Sequence, residues 1–389
     1  MENEGEARLF MSQHRGHVVI APDKFKGSLT AAEAADRIAA GVRRALPGVE
    51  VRALPVADGG EGTVAAAVAA GFRAVPVKVA GPTGEPVAAV LAVQGETAVI
   101  EAAQASGLQL LPGGVKAPLT ATSLGTGELV RKALELGCRK LVLGLGGVAC
   151  TDGGAGMAQA LGLRLLDADG AELPSGGAAL ARLASIDPGP LADTLSGVEV
   201  VVASDVDNPL LGERGAPAVY GPQKGATPED VAVLDAALAH WADKVAALTG
   251  GDLREAPGAG AAGGLGFGAM ALLGATLRPG IALLLELLGF DQAVRGARLV
   301  VTGEGCLDVQ TLHGKAPAGV ADAAAGHGVP VAAVSGLLEL SEAQWHAAGF
   351  VAALSLVELA GPDGDSITRA GELAELAGER LARTFLGAE

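Results

Sequence analysis

The residues best suited to chemistry lie in five glycine-rich turns, Asp23–Ser28, Asp58–Thr63, Gly144–Gly154, Asp205–Ala226 and Thr302–Lys315. Four of them follow a run that reads as a β-strand. In open α/β sheets ligands bind at the carboxyl ends of strands, and turns of this kind present backbone N–H groups to anions. Taken singly, any one of them reads more readily as a plain strand-to-helix connection. Four strand-end turns that carry both glycines and carboxylates argue for a site. Asp205 and Asp207 stand beside Asn208, Glu304 and Asp308 share one turn, and Asp58 and Glu61 flank Gly59-Gly60. Lys26, Lys224 and Lys315 each lie in such a turn. Phosphoryl transfer needs a divalent cation held by one or two carboxylates and a residue that orients the attacking hydroxyl. It also needs cations that neutralise the phosphates. The bland reading of the same residues is helix N-capping for the acids and solvation for the lysines.

Other chemistries have weaker support. Gly144-Leu-Gly-Gly-Val-Ala149 fits a loose dinucleotide pattern after a strand, which keeps a nicotinamide-dependent oxidoreductase of a small hydroxy acid as an alternative. Gly258–Gly263 fits the strict pattern without the preceding strand that the motif requires. No GxxxxGK[ST] loop occurs, because Val309 stands where the first glycine before Gly314-Lys315 should be. The protein-kinase HRD and DFG sets and paired-histidine metal spacings are absent as well. His313 is the one histidine within a loaded turn.

The elements that must position these turns follow a strand, turn, helix rhythm. A strand is predicted over 17–22, then a helix from a Thr30 capping box to about Leu46, then a strand over 49–57. Short β-type runs without a long helix fill 72–99 and imply antiparallel or mixed pairing. A helix near 127–136 and strands over 140–145 and 198–206 follow. Thr227-Pro-Glu-Asp230 opens a long helix to about Leu248. Strands over 298–302, 330–335 and 352–356, each leading into a helix, close the chain. The expected fold is α/β: a Rossmann-like parallel-sheet domain from 16–80 and 265–389, with an inserted second α/β domain of mixed sheet over 81–264. The active site is expected in the cleft between them, and residues 1–15 are expected to be a disordered tail.

Composition bounds the partners. The 389 residues suit two domains. Half are hydrophobic but only 3% are aromatic, so the core must be built from Ala, Val and Leu. A net charge of −16 argues against nucleic acid and against an anionic membrane surface. Cys138, Cys150 and Cys306 form no disulfide framework, which suits a reducing cytoplasm. No run of about 18 apolar residues reads as a membrane span, and the first residues lack a secretory pattern.

Several long motifs occur in order along the chain: Ala-Pro-Asp-Lys-Phe-Lys-Gly-Ser (21–28), Asp-Gly-Gly-Glu-Gly-Thr (58–63), Thr-Asp-Gly-Gly-Ala-Gly-Met (151–157), Asp-Val-Asp-Asn-Pro-Leu (205–210), Gly-Pro-Gln-Lys-Gly-Ala (221–226), Gly-Ala-Gly-Ala-Ala-Gly-Gly (258–264), Thr-Gly-Glu-Gly (302–305) and Gln-Thr-Leu-His-Gly-Lys (310–315). Together they resemble the type-1 glycerate kinases over roughly residues 17–385. The resemblance implies two α/β domains, one inserted in the other. It implies ATP and Mg2+ as phosphoryl donor and D-glycerate as acceptor, with 2-phosphoglycerate the favoured product. With turn position, it assigns catalysis to Asp205, Asp308, Lys26 and Lys315, and the metal to Asp205, Asp207 and Glu304. Substrate or ATP contacts fall to Asp23, Ser28, Asp58, Gly59, Gly60, Glu61, Gly146, Gly147, Asp152, Asn208, Lys224, Gly303 and His313. A homodimer is compatible with this reading. Two departures stand out: Val148 where the family usually has Ser, and Cys306 where it usually has Arg. A guanidinium binds carboxylate or phosphate at two points and a thiol cannot. A non-catalytic glycerate- or nucleotide-binding relative is therefore a further alternative.

Overall fold

The structure, a computed structural model, describes residues 16–362 and 364–387, without the His313 side chain. The tail expected over 1–15 lies outside the described residues. Two compact units divide the chain: residues up to Asp58 together with Ile281 onward, and the continuous segment Gly59–Gly280.

In the first unit, a short run of apolar and β-branched residues makes β1 (His17–Pro22), buried along its whole length. It sits inside a five-stranded parallel sheet with β2 (Glu50–Ala53), β11 (Ala297–Leu307), β12 (Val331–Leu338) and β13 (Phe350–Ser355), in the order β13-β12-β11-β1-β2. Val18, Ile20, Leu299, Val301, Ala332 and Val334 form one face of this sheet's core, with Ile38, Leu373 and Leu381 from the helices Ala31–Ala45 and Ala370–Leu386. With few aromatics available, these two helices pack by close approach. A Cβ on Gly41 would lie 1.8 Å from the Glu375 carbonyl oxygen, and one on Gly378 would lie 2.2 Å from that of Ile38. The Thr30–Glu33 capping box is present as the sequence predicts.

Two expectations change in this unit. The strand expected over 49–57 stops at Ala53. The strand expected over 298–302 runs on to Leu307, so Gly303–Cys306 are ladder residues and not a turn. Glu304 pairs with Ser335 and Cys306 with Leu337. Glycines permit this: a Cβ on Gly303 would lie 1.9 Å from the Val334 carbonyl oxygen.

The second unit holds a six-stranded mixed sheet, ordered β10-β9-β6-β5-β4-β3, formed by β3 (Arg73–Ala80), β4 (Pro86–Gln94), β5 (Thr97–Glu101), β6 (Lys140–Gly144), β9 (Glu199–Ala203) and β10 (Thr276–Arg278). β5, β6, β9 and β10 run parallel, and β3–β4–β5 are antiparallel neighbours. A small antiparallel pair, β7 (Arg164–Leu166) and β8 (Ser185–Asp187), accompanies them. The unit is larger than the insertion expected over 81–264. β3 pairs with β4 along its full length, and β10 pairs with β9, so both flanks belong to this sheet. The helix Pro228–Thr249 carries the Thr227 cap, here completed by Asp230. It buries Trp241, whose indole N–H donates to the Gly153 carbonyl at 3.1 Å. Among the described residues no helix is long and apolar enough to cross a membrane.

Candidate active site

In the first unit all five strands are parallel, so their carboxyl ends share one edge. Asp23 follows β1, its amide held by the Gly303 carbonyl at 2.8 Å. Its carboxylate accepts from the Lys24 amide at 2.6 Å and lies 3.8 Å from the Lys24 ammonium. Ser28 donates to the Phe25 carbonyl and closes the turn. Lys26, in the same turn, is exposed.

The neighbouring strand carries the densest group. Glu304 accepts from the Thr311 hydroxyl at 2.6 Å and lies 3.9 Å from the Lys315 ammonium. Asp308 caps the short 3-10 turn Val309–His313, accepting from the Thr311 amide at 3.1 Å, and lies 3.5 Å from Lys315. Burial pushes the Glu304 carboxyl up to about 7, helped by the charges of Asp23 and Asp308 and opposed by Thr311 and Lys315. Burial acts on Asp308 in the same direction. There the Thr311 amide and Lys315 outweigh it and hold the group below the ordinary carboxylate range. Two acids four residues apart are thus shifted in opposite directions, and strongly perturbed groups are common at functional sites. Burial and the charges of Glu339, Asp308 and Glu304 push the Cys306 thiol up. His313 lies in this turn, but its side chain is outside the described residues.

In the second unit the carboxyl ends of β5, β6 and β9 receive the glycine turns. Gly59 and Gly60 pack under them: a Cβ on Gly144 would lie 2.5 Å from the Gly59 carbonyl oxygen, and one on Gly146 would lie 2.8 Å from the Gly60 Cα. The loose dinucleotide pattern is therefore a close backbone crossing. Gly146 and Gly147 are exposed, whereas Val148 is buried in the core. The strict pattern at Gly258–Gly263 leads into a left-handed run, Ala262 to Gly264, in which Ala262 has φ 53°. It brings Gly260 against the backbone of Asn208 and Pro209, and Gly263 against Cys150.

Several expected ligand contacts are engaged within this unit. Asp152 is buried and accepts from the Ser123 amide and hydroxyl at 2.8 and 2.9 Å, and from the amides of Gly154 and Gly156. Lys224 is buried and donates to the Cys150 carbonyl at 2.5 Å; burial pulls its ammonium below the usual range. Asn208 donates to the Arg214 carbonyl and accepts from the Tyr220 hydroxyl. Asp207 is exposed beside Arg214 at 3.3 Å, and Asp205 accepts from the Gly280 amide at 2.9 Å. Asp58 is half-buried and Glu61 exposed.

The structure thus groups Glu304, Asp308 and Lys315. The three expected metal ligands are split, with Asp205 and Asp207 in one unit and Glu304 in the other. Mg2+ keeps several waters and takes one or two carboxylates with substrate phosphates, and oxygen donors of this kind fit it. Among the described residues Cys306, Asp308 and Glu339 place three ligand atoms within 4.8 Å of one another.

Thr311, Ser335 and Glu101 escape the sequence reading. The Ser335 hydroxyl, in register with Glu304, is buried without a hydrogen-bond partner among the described residues. Glu101 ends the apolar run of β5 and accepts from the amides of Gly62 and Val64 at 3.1 and 3.3 Å. A lone acid closing an apolar strand was the available signal.

The glycerate kinase family model matches residues 18–386. A glycerate kinase of Bacillus subtilis (strain 168) is 48% identical over 371 residues, covering 95% of this chain and 97% of the relative. A glycerate 2-kinase of Escherichia coli (strain K12) is 44% identical over 343 residues, covering 87% and 90%. A crystal structure from Salmonella typhimurium LT2, assigned as glycerate kinase 2, superposes with a TM-score of 0.85 at 44% identity, covering 95% of this chain and 98% of that one.

Proposed function

The chain belongs to the glycerate kinase family, and we propose that it transfers the γ-phosphoryl group of ATP to the 2-hydroxyl of D-glycerate in the cytoplasm, with Mg2+. The observation that carries this reading is the Glu304–Asp308–Lys315 group at the carboxyl edge of a parallel sheet. Phosphoryl transfer asks little covalent chemistry of a protein; positioning and charge neutralisation supply most of the acceleration.

Lys315 neutralises charge on the transferring group, and Lys26, exposed on the adjoining turn, adds a second cation. Asp308, ionised through the neutral range, orients the attacking hydroxyl and takes its proton. Glu304 would hold Mg2+, which when bound offsets negative charge on the phosphates; Asp205 and Asp207 are oxygen donors of the same kind within the second unit. Thr311 fixes Glu304 through its hydroxyl and Asp308 through its amide. Asp152 and Lys224 shape the turns around Cys150–Gly156 from inside the second unit.

The attack on the 2-hydroxyl is favoured by the Escherichia coli relative, which is named a glycerate 2-kinase. The nicotinamide alternative is not favoured, because the glycines of its motif are taken up by backbone packing. The phosphorus and proton NMR spectra of the product test the reading. Phosphorus coupled to the single C2 proton supports it, coupling to the two C3 protons moves the attack to the 3-hydroxyl, and no phosphorylated glycerate removes the assignment.

A further inference from the structure

Glu101 is a carboxylate built into the floor of a loop. It ends β5 in register with Gly144 of β6, and it is only 3% exposed. Its Oε2 accepts from the amides of Gly62 and Val64, at the end of the Asp58–Thr63 turn and in the first turn of the helix Thr63–Ala69. The same turn is closed by the Thr63 hydroxyl, which donates to the Gly60 carbonyl at 2.6 Å. The turn is also pressed against two strand ends: a Cβ on Gly59 would lie 2.8 Å from the Ala203 Cβ, beside the contacts with Gly144 and Gly146. Burial pushes the Glu101 carboxyl up, the Val64 and Gly62 amides and a hydrogen bond from the Gln104 side chain work against that, and Glu61 is a nearby charge of the same sign. A buried carboxylate is expensive unless hydrogen-bonded, and these amides, with the Gln104 side chain, provide that bonding.

We infer that Glu101 is a positioning residue for phosphoryl transfer, which sets the backbone of the Asp58–Thr63 turn by binding the Gly62 and Val64 amides. The inference rests on the kinase reading, in which this turn meets a substrate. With two amides committed to Glu101, ligand contacts fall to the outer part of the turn, Asp58–Glu61. An error of about 1 Å in such a contact costs on the order of 100-fold in rate.

The test uses the full chain as wild type and as Glu101→Ala, Glu101→Asp and Glu101→Gln. It measures kcat and KM for both substrates, melting temperature, and amide exchange of a peptide containing Gly62 and Val64. Glu101→Ala and Glu101→Asp, which lacks the reach, should lose about 100-fold in kcat/KM and exchange these amides faster. Glu101→Gln keeps an acceptor oxygen and should stay within about tenfold of wild type. Wild-type kinetics in a folded Glu101→Asp would overturn the inference, as would a Gln variant impaired as badly as Asp. Should Glu101→Ala not fold, the Asp and Gln pair carries the comparison. If wild type shows no glycerate-dependent turnover, the kinase reading fails, and unchanged exchange in Glu101→Asp would then separately remove the anchoring.

Discussion

Glu304 and Asp308 show at the residue scale how one loop separates two like groups. Glu304 is drawn into the sheet edge and its carboxyl rises to about 7, while Asp308 caps a turn beside a lysine and stays low. The two consequences for Glu304 have opposite signs. Its folded-state value lies above the ordinary 4.5, so its contribution to stability is fully present below about pH 4.5 and is lost as pH rises through about 7. On the proposed role of Glu304 in holding Mg2+, binding needs the carboxylate, so activity should grow over that upper range. Glu304→Gln should therefore be relatively more stable than wild type at about pH 8 than at about pH 5, as read by thermal denaturation. Its turnover should fall about 100-fold. Equal pH dependence of stability in the two proteins would show that Glu304 does not titrate as described. Sequence made the acids at 304 and 308 visible as candidates. It did not show their division, because that follows from which one the strand buries.

Glycine, at the scale of elements, replaces aromatic bulk as the packing device. The helices Ala31–Ala45 and Ala370–Leu386 meet backbone to backbone at Gly41 and Gly378. Gly41→Ala should destabilise the chain by about 3 kcal/mol, because its methyl group would overlap the Glu375 carbonyl. Gly48→Ala, where a Cβ meets nothing within 4 Å, should change stability by less than about 0.5 kcal/mol. Denaturant unfolding of the two variants checks the contrast, and equal losses would contradict it. The elements that sequence reveals best are those with local causes: β1 from its apolar, β-branched run, and the two long helices from Thr30 and Thr227. Elements decided by distant pairing were harder. Thr302–Gly305 reads as a turn because of its glycines, yet those glycines let β11 run on against β12. The division at Asp58 and Gly280 was hidden for the same reason, since only pairing reveals that β3 and β10 belong to the second sheet. Asp152 and Lys224 sit in motifs that look ligand-facing, and their burial arises from packing around Gly153 and Gly263.

The molecule as a whole carries a charge of −16 and, on the kinase reading, must collect two anionic substrates. Long-range repulsion therefore opposes encounter, while Lys26 and Lys315 attract at short range. Moderate salt should screen the repulsion and raise kcat/KM for glycerate by no more than about threefold; a steep fall with salt, measured at constant free Mg2+, would instead indicate attractive steering. The most direct test of the central claim is ADP release by the purified chain with Mg-ATP, with and without D-glycerate. Glycerate-dependent ADP, formed one-for-one with phosphoglycerate and strongly reduced in Lys315→Ala, is the result expected. ADP no higher than the glycerate-free background, with a control kinase active in the same assay, would contradict it.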